Sequence, residues 1–541
     1  MCFRGDASGH DFLFHLASWM DVSRQWHEGI VYPRWAEWAN WGFGEPRFVF
    51  YPPASWTIGA ALGSVLPWRM VPGAFIWLAL LTAGMSMWKL AREWLPAPQA
   101  AVAAVLFAVN PYHLVIVYYR SDFSELLAAA LLPLLVWSAL HTARAEWRYV
   151  PRLAAVFAAI WLSNAPAAVI ATYSLALILL TGCAVSRSLR PLLPGATAMA
   201  GGFGLAAFYI LPAEWEQQWV QIAEAVSDNI QPARNFLFTH ANDPEFVFFN
   251  WKVSWVALGM MLVAGIAGVF AARKRREFGE AWWTLVALGT ASVLLMFRPS
   301  AMVWRRLPEL QYVQFPWRWL GVLGVVFACS IAAAMSCARK WAAWAMGVVA
   351  LAAIGAAGTA MVEDAWWDSQ GAPVLSQAIS SGRGYEGTDE YMPTGCDRSE
   401  LPGNPDDETR LPHVSSVPAS AVEKFDRMSG DVVPARGVRL HVEQWSVERK
   451  VFTAGTPAPV TLALRLLDFP AWEVRIDNQS ASSDAHPMTA QLLLPIAAGT
   501  HRVEVRFVRT WDRTAGGIIS ALTAAAFLAF PVMLRRRRSA G

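Results

Sequence analysis

Apolar stretches of about twenty residues, separated by short clusters of charge, recur from Pro72 to Met361 and once more near the C-terminus. Crossing ~30 Å of hydrocarbon takes ~20 helical residues, so each stretch predicts a membrane span. They fall near Pro72 to Ala91, Pro98 to Tyr118, Ser124 to His141, Pro151 to Ala165, Ala167 to Val185 and Leu192 to Leu211. Further ones lie near Trp251 to Ala272, Ala281 to Phe297, Trp317 to Cys337, Trp341 to Met361 and Ala515 to Leu534, about eleven spans in total. Ala54 to Trp68 would reach only ~22 Å as a helix. It predicts an interfacial or half-inserted helix instead.

Between Glu363 and Arg513 the pattern changes to Pro, Gly, Ser and Asp-rich turns around short alternating runs. Val438 to Val442, Val460 to Leu467, Trp472 to Ile476, Ala490 to Leu494 and Arg502 to Val508 predict strands with one buried face. Asp477-Asn478 and Ala498-Gly499-Thr500 have the composition of hairpin turns. The expected fold is mainly α: a polytopic helical membrane protein with a small extracytoplasmic β-rich domain. Its expected divisions are a first loop with interfacial helices (1–53), a transmembrane helical domain (54–362), the β-rich domain (363–513) and a terminal span with a basic tail (514–541).

Composition supports the membrane assignment, since 55% of the 541 residues are hydrophobic and 16% charged, against ~25% charged in ordinary soluble domains. The net charge of +3 is small and the basic clusters adjoin apolar segments, which argues against nucleic acid as a partner. Five cysteines, three of them in or beside apolar blocks, give no disulfide framework. Ten histidines form no zinc-binding pattern. No metal ligand is therefore assigned, and a divalent cation is left open as a cofactor.

Charge also orients the chain. If the N-terminal segment lies outside, the inside loops carry Lys89 and Arg92; Arg144, Arg148 and Arg152; Arg187 and Arg190; Arg273 to Arg276; Arg339 and Lys340; and Arg535 to Arg538. Every one is basic, as the positive-inside rule requires. Arg298, Arg305, Arg306 and Arg318 fall on or near the outer side, where a basic residue has reason to meet an anion.

Candidate chemistry collects on that outer side. Asp11 and His15 are spaced i, i+4 and share a helical face, as would the polar face of any interfacial helix. Arg120, Ser121, Asp122 and Glu125 sit between two spans; Ser121 or Asp122 could equally cap the second, with Glu125 near the capping-box position. In Gln314-Phe315-Pro316-Trp317-Arg318, helix initiation and an aromatic belt explain Pro316 and Trp317 but not Arg318. Its guanidinium suits a phosphate, or snorkels to headgroups. Arg34 and Tyr51 lie in the polar, aromatic N-terminal stretch, and Asp389-Glu390-Tyr391 could close over a membrane-surface site or form a solvated turn. Gly382 to Gly387 has dinucleotide-fingerprint spacing without the flanking strand and helix, and is set aside.

These residues resemble a known family. An acid in the first outer loop, the Phe50-Tyr51-Pro52-Pro53 entry to a helix, Ala91 to Leu95 at an inner turn and the Arg120/Asp122/Glu125 cluster are similar to the GT-C superfamily of membrane glycosyltransferases. Asn110-Pro111-Tyr112, Arg120-Ser121-Asp122, Pro133-Leu134, Gln314 to Arg318 and Glu390-Tyr391-Met392-Pro393 resemble, more narrowly, bacterial multi-pass proteins labelled 6-pyruvoyl-tetrahydropterin synthase-related. Pro470-Ala471-Trp472, Asp477 and Ala498 to His501 resemble the outer domain of GT-C proteins acting on cell-wall polymers. The pterin label does not describe an activity here, because a pterin synthase needs a zinc-binding histidine set.

The resemblance implies transfer of a sugar from a polyprenyl-phosphate carrier to a cell-envelope acceptor, outside the bacterial cytoplasmic membrane. Membrane lipids would be the surrounding partners, with the large domain outside and the C-terminus inside. Asp11 would be the general base, with Asp122 and Glu125 as further catalytic carboxylates. Arg34, Arg120 and Arg318 would stabilise the departing phosphate, and His15, Tyr51, Gln314, Glu390 and Tyr391 would complete substrate binding. The alternative is a non-catalytic lipid-glycan binding or translocation protein. GT-C chains also begin with an outward span before the catalytic loop, so a further first span is expected ahead of Met1.

Overall fold

The computed structural model describes residues 5–227, 229–240, 243–401, 422–425, 432–433 and 437–539. Among these, nine helical stretches are long and apolar enough to cross a membrane. One of them, Pro244 to Leu295, comprises two arms, Pro244–Ala271 and Arg275–Leu295, with Gly279 breaking the second near its start at φ +56. The chain is a multi-pass, mainly helical membrane protein that also carries a C-terminal β-sheet region.

One expected span is too short to cross, and another, long and apolar enough, is interrupted. Val150–Trp161 has 12 residues, ~18 Å of helix, and stops short because Asn164 starts a new helix by accepting from Ala167 N at 2.9 Å. The stretch from Pro98 to Tyr118 is not one uninterrupted α-helix. Ala97–Ala108 ends before Asn110, whose side chain accepts from Tyr112 N and His113 N and caps a short helix at Pro111–Val115. The chain then widens into a π-turn over Ile116–Arg120 and leaves it at left-handed Ser121, φ +54. Such turns interrupt the hydrogen-bond ladder and recur at functional sites.

Helix Phe123–Ala143 and the span Pro316 to Cys337 are central, with 83% of each apolar window enclosed, against 11% for Trp511 to Phe530 at the rim. Val71–Ala91 packs on Phe123–Ala143, Pro244–Ala271 on Leu320–Cys337, and Leu192–Glu216 on the C-terminal helix Trp511–Ser539. The expected half-inserted segment is a helix at Pro53–Gly63, too short to span.

Two five-stranded antiparallel sheets form the polar region. The first runs Asp484–Ala485, Gln491–Ile496, Val460–Leu467, Val422–Phe425, Val432–Val433; the second runs Arg439–Ser446, Arg449–Thr456, Gly499–Phe507, Trp472–Ile476, Gln479–Ala481. Asp477 and Asn478, at φ +51 and +64, make the tight turn that joins Trp472–Ile476 to Gln479–Ala481. Arg449–Thr456 was not among the expected strands. Its Arg449-Lys450 start masks the apolar run, and Lys450 is buried. Within 363–433 the described residues hold a helix at Gly371–Ser380 and the short strands Val422–Phe425 and Val432–Val433, while 402–421 and 426–431 lie outside them.

Leu462, Leu464, Phe452, Leu492 and Val503 from the two sheets share an apolar core with Trp35, Phe43, Val49 and Phe50 of the first loop. At its other end this loop is held by a two-residue strand, with Asp6 opposite Asp368 and Ala7 opposite Trp367. The loop is thereby clamped between the helical body and the sheets.

Candidate active site

Asp11 begins the helix Phe12–His27, and the preceding turn is stitched to the π-turn end. Asp11 N donates to Arg120 O at 2.8 Å, Gly9 N to Ser121 Oγ at 3.0 Å, and Ser121 Oγ to Ala7 O at 2.8 Å. Gly9 is required there: a Cβ would lie 2.5 Å from Tyr119 O. Backbone groups and the Ser121 hydroxyl therefore bring Asp11 to Arg120 across 109 residues.

The Arg120 guanidinium donates to Asp11 Oδ2 at 2.8 Å and Glu125 Oε2 at 2.9 Å, and lies 3.3 Å from Asp122 Oδ2. Arg318 approaches from the second central span, donating to Glu125 Oε2 at 3.0 Å, Gln314 Oε1 at 3.0 Å and Val313 O at 2.9 Å. It also reaches Asp122 Oδ2 at 3.4 Å. The rings of Phe315 and Trp317 each lie 5.3 Å from the Arg120 guanidinium carbon, a cation–π arrangement that keeps water from it. Tyr112 Oη also donates to Glu125.

Asp122 serves as cap and site residue together. Its Oδ1 accepts from Glu125 N at 2.9 Å and from Ser124 Oγ at 2.6 Å. Ser124 in turn meets Tyr51 Oη at 2.7 Å and accepts from Asn164 Nδ2 at 2.8 Å. His15 Nε2 lies 3.6 Å from Asp122 Oδ1, and its Nδ1 is 3.4 Å from Ser55 Oγ. Burial pushes the Asp122 carboxyl up, but His15, Arg120 and Arg318 outweigh it and hold it well below the usual range. Burial likewise opposes ionisation of Asp11, yet Arg120 and His10 keep its carboxyl below its ordinary value.

The three carboxylates differ in access. The Asp11 side chain is 23% exposed, against 5% for Asp122 and 4% for Glu125. Asp122 and Glu125 can hold guanidiniums; Asp11 can also meet a solute.

Eight residues singled out in the sequence thus converge here: Asp11, His15, Tyr51, Arg120, Asp122, Glu125, Gln314 and Arg318. Three do not join these contacts. Arg34 stacks over Tyr32 at 4.2 Å in a cluster with Glu216 and Arg513. Tyr391 stacks on Phe50 at 5.8 Å. Glu390 lies near Glu45 and Arg47, and burial pushes its carboxyl up to about 7. Sequence reasoning missed Ser124 and Asn164, which stand in the first turn and at the N-cap of their helices. It also missed the Asp21, Asn40, Glu45, Arg47 and Thr388 network behind the site. Among the described residues no group of three or more His, Cys, Asp or Glu is placed to hold a metal ion.

Residues 48–362 match the family model described as 6-pyruvoyl-tetrahydropterin synthase related domain, a membrane protein. No curated protein matches the chain. Among solved structures, the arabinofuranosyltransferase AftD from Mycobacteria is similar at 18% identity and TM-score 0.41, over 66% of this chain and 27% of AftD. The chain thus spans about a quarter of that enzyme's length. ArnT from Cupriavidus metallidurans, in the apo state, shows 13% identity and TM-score 0.27 over 60% of this chain and 73% of its own. Likeness at these levels does not carry an activity across.

Proposed function

This chain belongs to the 6-pyruvoyl-tetrahydropterin synthase related family of membrane proteins, and from that premise we propose that it is a membrane glycosyltransferase. It takes a sugar from a polyprenyl-phosphate carrier and passes it to a cell-envelope acceptor hydroxyl at the outer surface of the bacterial cytoplasmic membrane. The observation that carries the reading is Asp11: a partly exposed carboxylate bonded to Arg120, beside a second enclosed guanidinium from Arg318.

Asp11 is ionised at neutral pH and accepts the proton of the acceptor hydroxyl. The acceptor oxygen forms a bond to the anomeric carbon as the bond from that carbon to the carrier's phosphate oxygen breaks. The electron pair leaves on the phosphate, and Arg120 and Arg318 stabilise the added charge in a site shielded by Phe315 and Trp317. Asp122 and Glu125 fix both guanidiniums beforehand, so little reorganisation accompanies the transfer. Arg34, held with Tyr32 and Glu216, has no part in this step.

A groove of about 720 Å³ beside the site supports a lipid donor. Phe248, Trp251 and Trp255 line it at the start of helix Pro244–Ala271, with Lys252 among them. Phe249 on the same helix packs against Trp317 at 5.7 Å and Tyr119 at 6.4 Å. A prenyl chain in the groove would run along these rings and meet Lys252, whose ammonium pairs with Asp364.

The test is transfer by the purified, reconstituted protein from a panel of radiolabelled polyprenyl-phosphate sugars. Asp11→Asn should lower the rate by ~10²- to 10⁴-fold while leaving membrane insertion intact. Transfer at the wild-type rate by Asp11→Asn sinks the reading. Donor binding without transfer by the wild type would indicate a lipid-glycan binding or translocation protein instead.

A further inference from the structure

A second cleft, of about 310 Å³, opens where the first loop meets both sheets. We propose that it binds a neutral saccharide, one or two sugar rings in size, at a place separate from the Asp11 site. Arg24, on its wall, is thirteen residues along the first helix from Asp11, ~20 Å away at 1.5 Å per residue.

The lining combines aromatic rings with hydrogen-bonding groups. Trp38 and Trp445 come from opposite walls, the loop and the strand Arg439–Ser446. The Trp38 indole N–H is buried and has no hydrogen-bond partner among the described residues. Exposed Gln444 offers both an amide donor and an acceptor. Ring faces suit the C–H faces of a sugar, and the polar groups suit its hydroxyls.

Charge argues against an ion. Three basic residues, Arg24, Lys450 and Arg465, face three acids, Glu28, Glu37 and Glu443. Arg24 lies 3.6 Å from Glu28, and Glu443 is bonded to Arg502 at 3.0 Å. The Lys450 ammonium donates to Ser446 O and Val447 O at 2.6 and 2.7 Å. A balanced lining with its cations already engaged favours a neutral polyol over phosphate.

Both walls also depart from regular backbone. Asn40, Trp41, Gly42 and Gly44 have φ of +51, +54, +87 and +76, and the pairing of Arg439–Ser446 with Arg449–Thr456 slips between Val442 and Gln444. A bulge re-aims the side chains beside it. Here it lies at Glu443 and Gln444, both in the lining.

The test is isothermal calorimetry of the full chain in detergent with maltose, cellobiose, mannobiose, chitobiose and inorganic phosphate. At least one disaccharide should bind saturably. Trp445→Ala should weaken that binding by ~10-fold or more, as removal of a stacking ring does, and Gln444→Ala, a surface change that spares folding, should also weaken it. Asp11→Asn should leave it unchanged, so this inference and the proposed transfer activity fail separately. The inference is overturned if no disaccharide binds, if phosphate displaces the sugar, if neither cleft substitution weakens binding, or if Asp11→Asn does.

Discussion

Arg47 is 1% exposed, and its guanidinium donates to Glu45 Oε1 at 2.6 Å, Ser18 Oγ at 3.0 Å and Thr388 Oγ1 at 3.2 Å. Glu45 also accepts from Asn40 Nδ2 at 3.0 Å and Thr388 N at 2.9 Å. The pair ties the first loop to the segment after the helix Lys340–Asp364. Removing one partner leaves an uncompensated buried charge, so Glu45→Ala should cost ~3–5 kcal/mol, read as a lowered unfolding transition in detergent. Asp21, in the same network, accepts from Gln25 Nε2 at 2.9 Å and Tyr385 Oη at 3.0 Å. Burial nevertheless pushes its carboxyl up to about 6 from 3.8. A raised carboxyl contributes stability that is complete below its ordinary value and lost as the pH rises through the raised one. The unfolding temperature should therefore fall between about pH 4 and pH 7, Asp21 acting up to about 6 and Glu390, raised from 4.5, up to about 7. Asp21→Asn should flatten that dependence. The sequence displayed these acids, but not their burial, because nothing local to Asp21 or Glu45 marks Tyr385 or Thr388 as a partner.

At the scale of elements, local signals served well where one element's own chemistry decided the outcome. Val460–Leu467 and Trp472–Ile476 form strands over the same residues that their alternation predicts. Pro72, Pro98 and Pro166 lie in the first turns of their helices, where a missing N–H costs nothing. The π-turn at Ile116–Arg120 had no such signal, since the hydrophobic pattern runs through it. Yet this turn, with left-handed Ser121, presents the backbone that receives Asp11. Gly9→Ala should push the loop off Tyr119 and Arg120 and lower transfer by about 10²-fold, as ångström-scale misplacement does. Parallel thermal unfolding separates this effect from global loss of fold: a rate near wild type would mean that the stitched turn does not position Asp11.

At the scale of the molecule, the proposed function needs the sheets outside, the side that the positive-inside rule gives them when the basic loops are inside. With the endogenous cysteines replaced by serine, Asn478→Cys should react with a membrane-impermeant maleimide in intact cells. Arg275→Cys should react only after permeabilisation. The reverse pattern would invert the topology and remove the site from the outer surface. Local sequence determined most of the spans, several strands and tight turns, and which charged residues lie near helix ends, because hydropathy, periodicity and turn chemistry act over a few residues. Tertiary structure alone decided which of them meet. Arg120 reaches Asp11 across 109 residues and Arg318 reaches Glu125 across 193, while Arg34 turns to Tyr32 and the Glu216–Arg513 pair. The physical reason is that enclosed charges require partners, and packing of the two central helices against the first loop selects those partners at distances no local pattern encodes.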